Sequence, residues 1–215
     1  MMKKILPFLF FIFVALLTLC LICRVFPTNS ADVKENNNVY KAFAMDRELF
    51  LHQKDNDCAS YTAMAVISVL KNQDVNPVRL SEEMMWRSKG GVTFPQGLVN
   101  ILKNYRINLT EYKMFRFSDS EKINWLKNTI DKGNIIVLFV QGDGLKHYVT
   151  VLGYDSHGFL LYDSLQKRRS EHSDLTIVDK SEYEGNRYYP YADLIALWNK
   201  GGIFCFFRNW ALVCN

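Results

Sequence analysis

The stretch that decides the fold is DNDCASYTAMAVISVLKNQ, residues 55–73. Its first residues, Asp55, Asn56 and Asp57, carry side-chain oxygens of the kind that cap the first turn of a helix. Small and apolar residues then recur at the helical spacing, and one stripe is formed by Ala59, Thr62, Ala63, Val66, Val69 and Leu70. The pattern predicts a helix with one buried face, and it places Cys58 in the first turn.

Cys58 differs from the other cysteines in its position. Of five cysteines, two lie in an apolar N-terminal segment and two near the carboxyl end. At a helix start, backbone N–H groups and the helix dipole stabilise a thiolate, the nucleophilic form of cysteine. A nearby imidazolium would stabilise it further and later deliver a proton to a leaving group. The alternative is that Cys58 is a small buried hydrophobe, the commoner fate of a free cysteine.

Helices are predicted in the part of the chain that follows. One begins at Ser81-Glu82-Glu83-Met84, another covers residues 93–105 with Pro95 in its first turn, and a third covers residues 121–132. Ser118 or Ser120 begins this third helix, and Gly133 ends it.

Strands dominate the next part of the chain. Three β-rich segments cover residues 134–140, 147–154 and 159–162, and the last two predict a hairpin. Residues 165–187 are mostly polar and predict a surface excursion, followed by a helix over 191–198 and a final strand over 203–207. Helices first and an antiparallel sheet afterwards predict an α+β fold with segregated layers.

Four histidines could be the partner of Cys58, namely His52, His147, His157 and His172. His147 begins a predicted strand after a glycine-containing loop, so its side chain could project from a strand end into a cleft. His157 lies in the hairpin turn and His172 in the polar excursion, where we expect solvent-exposed side chains. A histidine with an ordinary hydrogen bond at the edge of the sheet is the alternative for His147.

Asp163 follows His147 by sixteen residues and stands at the far end of the adjoining strand. Because side chains alternate along a strand, an odd-numbered hairpin loop would place His147 and Asp163 on one face, and an even-numbered loop would separate them. On the same face, the carboxylate could fix the tautomer and orientation of the imidazole. The alternative is an aspartate that only serves the turn after the strand.

Gln53 precedes Cys58 by five residues in a loop that would lead back over the helix start. Its amide group could join the backbone N–H of Cys58 in binding an oxyanion. A solvent-exposed loop glutamine is the simpler interpretation.

Together these residues resemble a known family. The segments are Gln53-Lys-Asp-Asn-Asp-Cys58-Ala-Ser before a helix, then Lys146-His147-Tyr-Val-Thr-Val-Leu-Gly-Tyr-Asp155, then Phe159-Leu-Leu-Tyr-Asp163-Ser. In order and spacing they are similar to papain-fold cysteine peptidases of the bacteriocin-leader-processing type, over roughly residues 51–198. The resemblance implies a papain-like fold with Cys58 as nucleophile, His147 as general base and acid, Asp163 as orienting residue and Gln53 as oxyanion donor.

Two positions depart from the family pattern. Members of the family generally have glycine after the nucleophile, where this chain has Ala59, and Asp-Pro where it has Asp163-Ser164. We expect Ala59 to tighten the turn at the nucleophile, which would affect activity more than fold.

The N-terminal segment predicts a membrane anchor. Residues 5–23 are 19 residues without a charge, a length that spans about 28 Å as a helix and so fits the hydrocarbon core of a bilayer. A cleaved signal peptide is the alternative, with a poor cleavage site before Asp32. Lys3 and Lys4 favour a cytoplasmic N-terminus, with the tip at residues 1–4, a polar linker at 24–44 and the domain at 45–215 outside.

Composition and motifs exclude several classes of function. The net charge is +4, but it falls to +1 without Lys3, Lys4 and Arg24, so the domain lacks the broad cationic surface of a nucleic-acid-binding protein. The sequence has no zinc-type cysteine spacing, no phosphate-binding loop and no dinucleotide fingerprint, so we expect no metal and no cofactor. Cys205 and Cys214 could form a disulfide or remain buried thiols.

The leading functional hypothesis is thiol-dependent hydrolysis of a peptide or related amide by a membrane-anchored Cys-His-Asp enzyme. The partner is then a peptide or protein substrate. The alternative is a membrane-tethered peptide-binding module that keeps the peptidase fold without turnover, for which Ala59 is the main support.

Overall fold

The structure is a computed structural model that describes residues 11–18, 31, 33, 35, 41–142, 144–165, 176–177, 185–203 and 206–215. Residues 11–18 form a short helix, α1, but most of the predicted anchor at residues 5–23 lies outside the described residues. Within the described part, no helix is both long enough and apolar enough to cross a membrane. The anchor therefore stays a prediction.

Five further helices and one short 3-10 turn follow in the described chain. The helices are α2 (Cys58–Lys71), α3 (Pro77–Glu83), α4 (Pro95–Asn104), α5 (Asp119–Asp131) and α6 (Tyr191–Lys200), and the 3-10 turn is Arg47–Leu49. Ser118 caps α5 in a capping box with Glu121, as expected from one of the two predicted start residues. The start of α3 was predicted wrongly, since Asn76 caps the helix and Pro77 begins it, well before Ser81.

The strands form one antiparallel sheet. They are β1 (Lys41–Ala42), β2 (Leu109–Lys113), β3 (Ile135–Gly142), β4 (Leu145–Tyr154), β5 (Gly158–Tyr162), β6 (Thr176–Ile177), β7 (Arg187–Pro190) and β8 (Trp210–Cys214). Their order across the sheet is β2-β8-β3-β4-β5-β7-β6, and β1 pairs with the end of β4. The predicted β4–β5 hairpin is confirmed, and β4 is the strand that will carry His147 to the site.

Two buried clusters cover the two faces of this sheet. The first packs α2, α3 and α4 against one face, and the second packs α5 and α6 against the other. All six residues from Ile135 to Val140 in β3 are buried, as expected for a strand covered on both sides. The α+β class is confirmed, but the predicted pair of segregated layers is wrong, because helices lie on both faces of the sheet.

Three other predictions need correction. The final strand is Trp210–Cys214 and not residues 203–207, where Ile203 and Phe206 form only an isolated bridge. The folded part begins before residue 45, because β1 pairs with β4. Strands β1, β2, β6 and β7 were not predicted. The predicted surface excursion contains β6 and the first residue of β7, and none of the four strands has a long apolar run. Cys214 is buried, and Cys205 lies outside the described residues.

Candidate active site

Cys58 is the first residue of α2 and lies half-buried at the edge of a cleft. The rest of the first two turns of α2 is buried on all sides, so the helix start is fixed in the first cluster. Among the described residues, no hydrogen bond uses the backbone N–H of Cys58. Cys58 therefore lines the cleft with the positive end of a fourteen-residue helix behind it.

Asp57 precedes the thiol, but its side chain does not cap α2. Its carboxylate oxygen Oδ1 instead accepts hydrogen bonds from the guanidinium of Arg87 and from Ser81 Oγ, the latter at 3.1 Å. The ion pair with Arg87 balances the negative charge beside the helix start. The helix N-terminus is thus left open to the cleft.

His147 and Asp163 form a hydrogen-bonded ion pair. The distance between His147 Nε2 and Asp163 Oδ1 is 2.8 Å, and the two residues are only 4% and 6% exposed. Because Nε2 is used by the carboxylate, Nδ1 is the nitrogen that can interact with the thiol of Cys58. The structure thus brings these three predicted site residues together.

The electrostatics of the pair favour a charged imidazole. Burial alone would lower the pKa of His147, but the charge and hydrogen bond of Asp163 and the interaction with Cys58 outweigh it and raise the pKa to about 10. Burial likewise would raise the pKa of Asp163, but His147, the N–H of Leu165 and the charge of Arg187 lower it overall. At neutral pH the pair is an imidazolium and a carboxylate.

A β-bulge is what places the pair on one face of the sheet. The hairpin loop has four residues between the paired Tyr154 and Phe159, an even number that by simple alternation would separate His147 from Asp163. The register between β4 and β5 shifts at Leu152, and this extra residue reverses the alternation. From Leu145 to Val151, the odd-numbered residues of β4 therefore face the same side as the odd-numbered residues of β5. The predicted rule for loop length was wrong, although the two residues do meet.

Asp163 is held by residues that the sequence analysis missed. Asn186 accepts the N–H of Asp163 through Oδ1 and donates Nδ2 to its carbonyl, both at 2.8 Å. Tyr189 donates its hydroxyl to Oδ2 at 3.2 Å, and the backbone N–H of Leu165 donates to Oδ1 at 2.8 Å. Buried Arg187 donates to the carbonyl of Leu165 at 3.1 Å. The β-rich segment Arg187–Pro190 was the signal that could have indicated these residues.

Gln53 is 7% exposed and lines the cleft together with Cys58, so the solvent-exposed interpretation is wrong. Its Nε2 donates to the carbonyl of Asp55 at 2.7 Å, and its Oε1 accepts from Ser164 Oγ at 2.7 Å. Its backbone N–H donates to the carbonyl of Ser164 at 3.0 Å. The amide is therefore held at both ends while it faces the cleft.

The cleft has a volume of about 310 Å³ and polar and apolar walls. Val92, Leu145 and Leu165 contribute apolar surface near Cys58, Gln53 and His147.

Of the other histidines, His52 donates Nδ1–H to the carbonyl of Ser164 at 2.7 Å, and His157 forms a hydrogen bond with Ser156 in the exposed hairpin turn. His172 lies outside the described residues.

Within the described ranges, no group of histidine, cysteine, aspartate and glutamate side chains could hold a metal ion. Ala59, the residue after the thiol, is completely buried in the first cluster and does not line the cleft. The expected tightening of the turn at the nucleophile stays a prediction.

Comparison with known proteins agrees with the fold and with the family resemblance. A C39-like peptidase from Bacillus anthracis is 12% identical, has a TM-score of 0.52, and is matched over 81% of this chain and 98% of its own. The peptidase domain of Streptococcus ComA, a bifunctional ABC transporter involved in quorum sensing, is 15% identical, has a TM-score of 0.51, and is matched over 76% and 95%. No curated protein sequence matches significantly.

A family model also matches the sequence directly. The match covers residues 49–194, which include all four predicted site residues and the elements that carry them. The chain belongs to the Peptidase_C39 like family.

Proposed function

We propose that this protein is a thiol-dependent hydrolase that cleaves a peptide or related amide bond with Cys58, His147 and Asp163. The observation that carries the proposal is the buried hydrogen-bonded pair of His147 and Asp163 beside a thiol at a helix start, on one cleft. A buried ion pair alone can be structural, but here the imidazole lines the same cleft as the thiol. Membership of a peptidase-like family supports the same chemistry.

In the proposed reaction, the Cys58 thiolate attacks the carbonyl carbon and the carbonyl electrons move to oxygen. The backbone N–H of Cys58 and the amide of Gln53 bind this oxyanion. His147 gives its proton to the leaving amine, and the carbon–nitrogen bond breaks to leave a thioester. Water then attacks the thioester while neutral His147 takes its proton, and the thiolate leaves with release of the acid. Asp163 keeps the imidazole oriented throughout.

The proposed catalytic residues define the class of substrate but not the individual substrate. Hydrolysis of a peptide, cleavage of an isopeptide and transfer of the acyl group to another amine use the same thioester. The partner is therefore a peptide or protein that presents an amide carbonyl to the cleft.

Residues 5–23 anchor the enzyme in this proposal, with the N-terminus in the cytoplasm and the domain outside. The support is the uncharged length of the segment and the lysines before it. Mass spectrometry of the mature protein tests this, because an intact N-terminal segment is expected. A mature chain that begins near Ala31 or Asp32 would contradict the anchor.

The alternative function is a binding module without turnover. Its support is Ala59, which follows the nucleophile where members of the family generally have glycine.

Labelling with iodoacetamide at neutral pH separates the two functions. We expect rapid alkylation of Cys58 in the wild type and at least tenfold slower alkylation in His147→Ala, because the imidazolium stabilises the thiolate. Cys58→Ala gives the background from the other cysteines. An ordinary thiol rate that His147→Ala does not change would favour the binding module.

A further inference from the structure

Ser164 stands between the two halves of the candidate site. It is 1% exposed and follows Asp163 directly in the chain. Its carbonyl accepts hydrogen bonds from the backbone N–H of Gln53 at 3.0 Å and from His52 Nδ1 at 2.7 Å. Its hydroxyl donates to Gln53 Oε1 at 2.7 Å. One residue therefore holds both the backbone and the side chain of Gln53.

The orientation of the Gln53 amide matters for its proposed role. The oxygen and nitrogen ends of a glutamine amide have nearly the same shape, but only the nitrogen end can donate to an oxyanion. The carbonyl of Asp55 can only accept, so it fixes the nitrogen end at one position, 2.7 Å away. The hydroxyl of Ser164 then donates to the oxygen end. Rotation of the amide by half a turn would place the oxygen of Gln53 against the carbonyl oxygen of Asp55 and lose that bond, and the Ser164 hydroxyl would then accept from the nitrogen end of the amide.

The contact also leaves a donor for the cleft. The amide nitrogen carries two hydrogens, and among the described residues only one is used, by Asp55. A hydrogen bond to the amide oxygen draws electron density toward that oxygen and makes the remaining N–H a stronger donor.

We propose that Ser164 is a positioning residue that fixes the amide of Gln53 with its free N–H toward the cleft, so that the residue after Asp163 sets the oxyanion donor while Asp163 sets the imidazole. The inference rests on the proposed function. It concerns one hydrogen bond, from the Ser164 hydroxyl to Oε1, and it assigns Ser164 no contact with substrate.

Two reagents separate positioning of the oxyanion donor from a general structural effect. Alkylation by iodoacetamide needs the thiolate but forms no oxyanion, whereas acylation by p-nitrophenyl acetate passes through one. Both rates are measured on the full chain, with Cys58→Ala as the blank. We expect Gln53→Ala to lower acylation by about 10²-fold and Ser164→Ala by about tenfold, with alkylation by iodoacetamide within about twofold of wild type for both.

A matched pair of variants isolates the hydroxyl. Ser164→Thr keeps it and should stay within about twofold of wild type, whereas Ser164→Val has the same shape without it and should behave like Ser164→Ala. The double variant Ser164→Ala with Gln53→Ala should acylate no more slowly than Gln53→Ala alone, since Ser164 acts through Gln53. If Ser164→Ala does not fold, the Thr and Val variants carry the comparison.

The outcomes are distinguishable. Wild-type acylation of Ser164→Ala and Ser164→Val would overturn the inference and leave the proposed function in place. An equal fall in acylation and alkylation would also overturn it, because the effect would then lie in the thiolate–imidazolium pair or in the fold. If the wild type shows no acylation above the Cys58→Ala blank, the proposed function itself fails, and the inference fails with it.

Discussion

The two sides of the cleft are built in different ways. The thiol side consists of residues 51–58 and the start of α2, which are contiguous in sequence, and the helix start packs into the first cluster. The carboxylate side brings together His147 from β4, Asp163 after β5, and Asn186 and Tyr189 from the region of β7. A site built from contiguous residues can be predicted from the sequence. A site built by strand pairing also depends on the strand register and on residues distant in the sequence.

The largest effect should come from the thiol side. Cys58→Ala removes the proposed nucleophile, so acylation by p-nitrophenyl acetate should fall to the level of the uncatalysed reaction. The change removes one sulfur from a half-buried helix start, and we expect the free energy of unfolding to change by less than about 1 kcal/mol. Urea unfolding and stopped-flow acylation check the two parts. Turnover that persists would reject Cys58, and loss of folded protein would show that it is mainly a core residue.

The next effect tests the carboxylate side at its centre. His147→Ala should lower the rate of acylation most. Asp163→Ala should lower this rate less, because the imidazole remains but loses its orientation and its countercharge. Asp163→Asn should retain more activity than Asp163→Ala, since an amide oxygen can still accept the imidazole N–H. We expect losses of about 10³-fold, 10²-fold and tenfold in that order. Equal rates for Asp163→Asn and Asp163→Ala would show that only the charge of Asp163 matters.

How much the sequence could predict follows the same division. Helix α2 and the place of Cys58 could be predicted because helical spacing is a local signal, but the predicted side-chain cap is wrong, since Asp57 binds Ser81 and Arg87 instead. The β4–β5 hairpin could be predicted from two β-rich segments, but the bulge at Leu152 has no local signature, so the rule that joined His147 to Asp163 failed. Asn186 lies in a polar segment, and only pairing of β5 with β7 brings it to Asp163. Tertiary contacts decided what sequence patterns could not.

Asn186→Ala tests the distant support of the carboxylate side. The change removes the two hydrogen bonds from the Asn186 side chain to the backbone of Asp163. The backbone N–H and carbonyl of buried Asp163 are then left unpaired. We expect a loss of about 2 kcal/mol in the free energy of unfolding and a severalfold fall in acylation. Asn186→Asp is the matched variant, because it can still accept the N–H of Asp163 but cannot donate to its carbonyl. An unchanged free energy of unfolding in both variants would contradict the proposal that Asn186 holds Asp163 in place.

The pH dependence of the free energy of unfolding tests whether His147 and Asp163, on the carboxylate side, are charged in the folded protein. The pKa of His147 is raised from 6.5 to about 10, so the folded state binds this proton more tightly than the unfolded state. The stabilisation is therefore complete below pH 6.5 and is lost as the pH rises to about 10. The lowered pKa of Asp163 adds stability above its ordinary value of 3.8, which is lost as the pH falls.

The measurement compares urea unfolding of the wild type and His147→Gln across this range of pH. The variant lacks the titrating imidazole, so the difference between the two curves reports His147 together with its coupling to Asp163. The difference should shrink as the pH rises from 6.5 to about 10. A difference that is constant with pH would mean that the pair is not charged in the folded protein.

The smallest effect concerns the thiol side again, at Arg87. The guanidinium balances the carboxylate of Asp57, one residue before the thiol. Arg87→Ala leaves that negative charge uncompensated near the thiolate, and an interaction of about 0.5–1 kcal/mol at a partly exposed site corresponds to a two- to fivefold slower alkylation by iodoacetamide at neutral pH. The double variant Arg87→Ala with Asp57→Asn removes both charges and should restore the rate, whereas a rate that stays low would show that Arg87 acts by packing the loop and not by its charge.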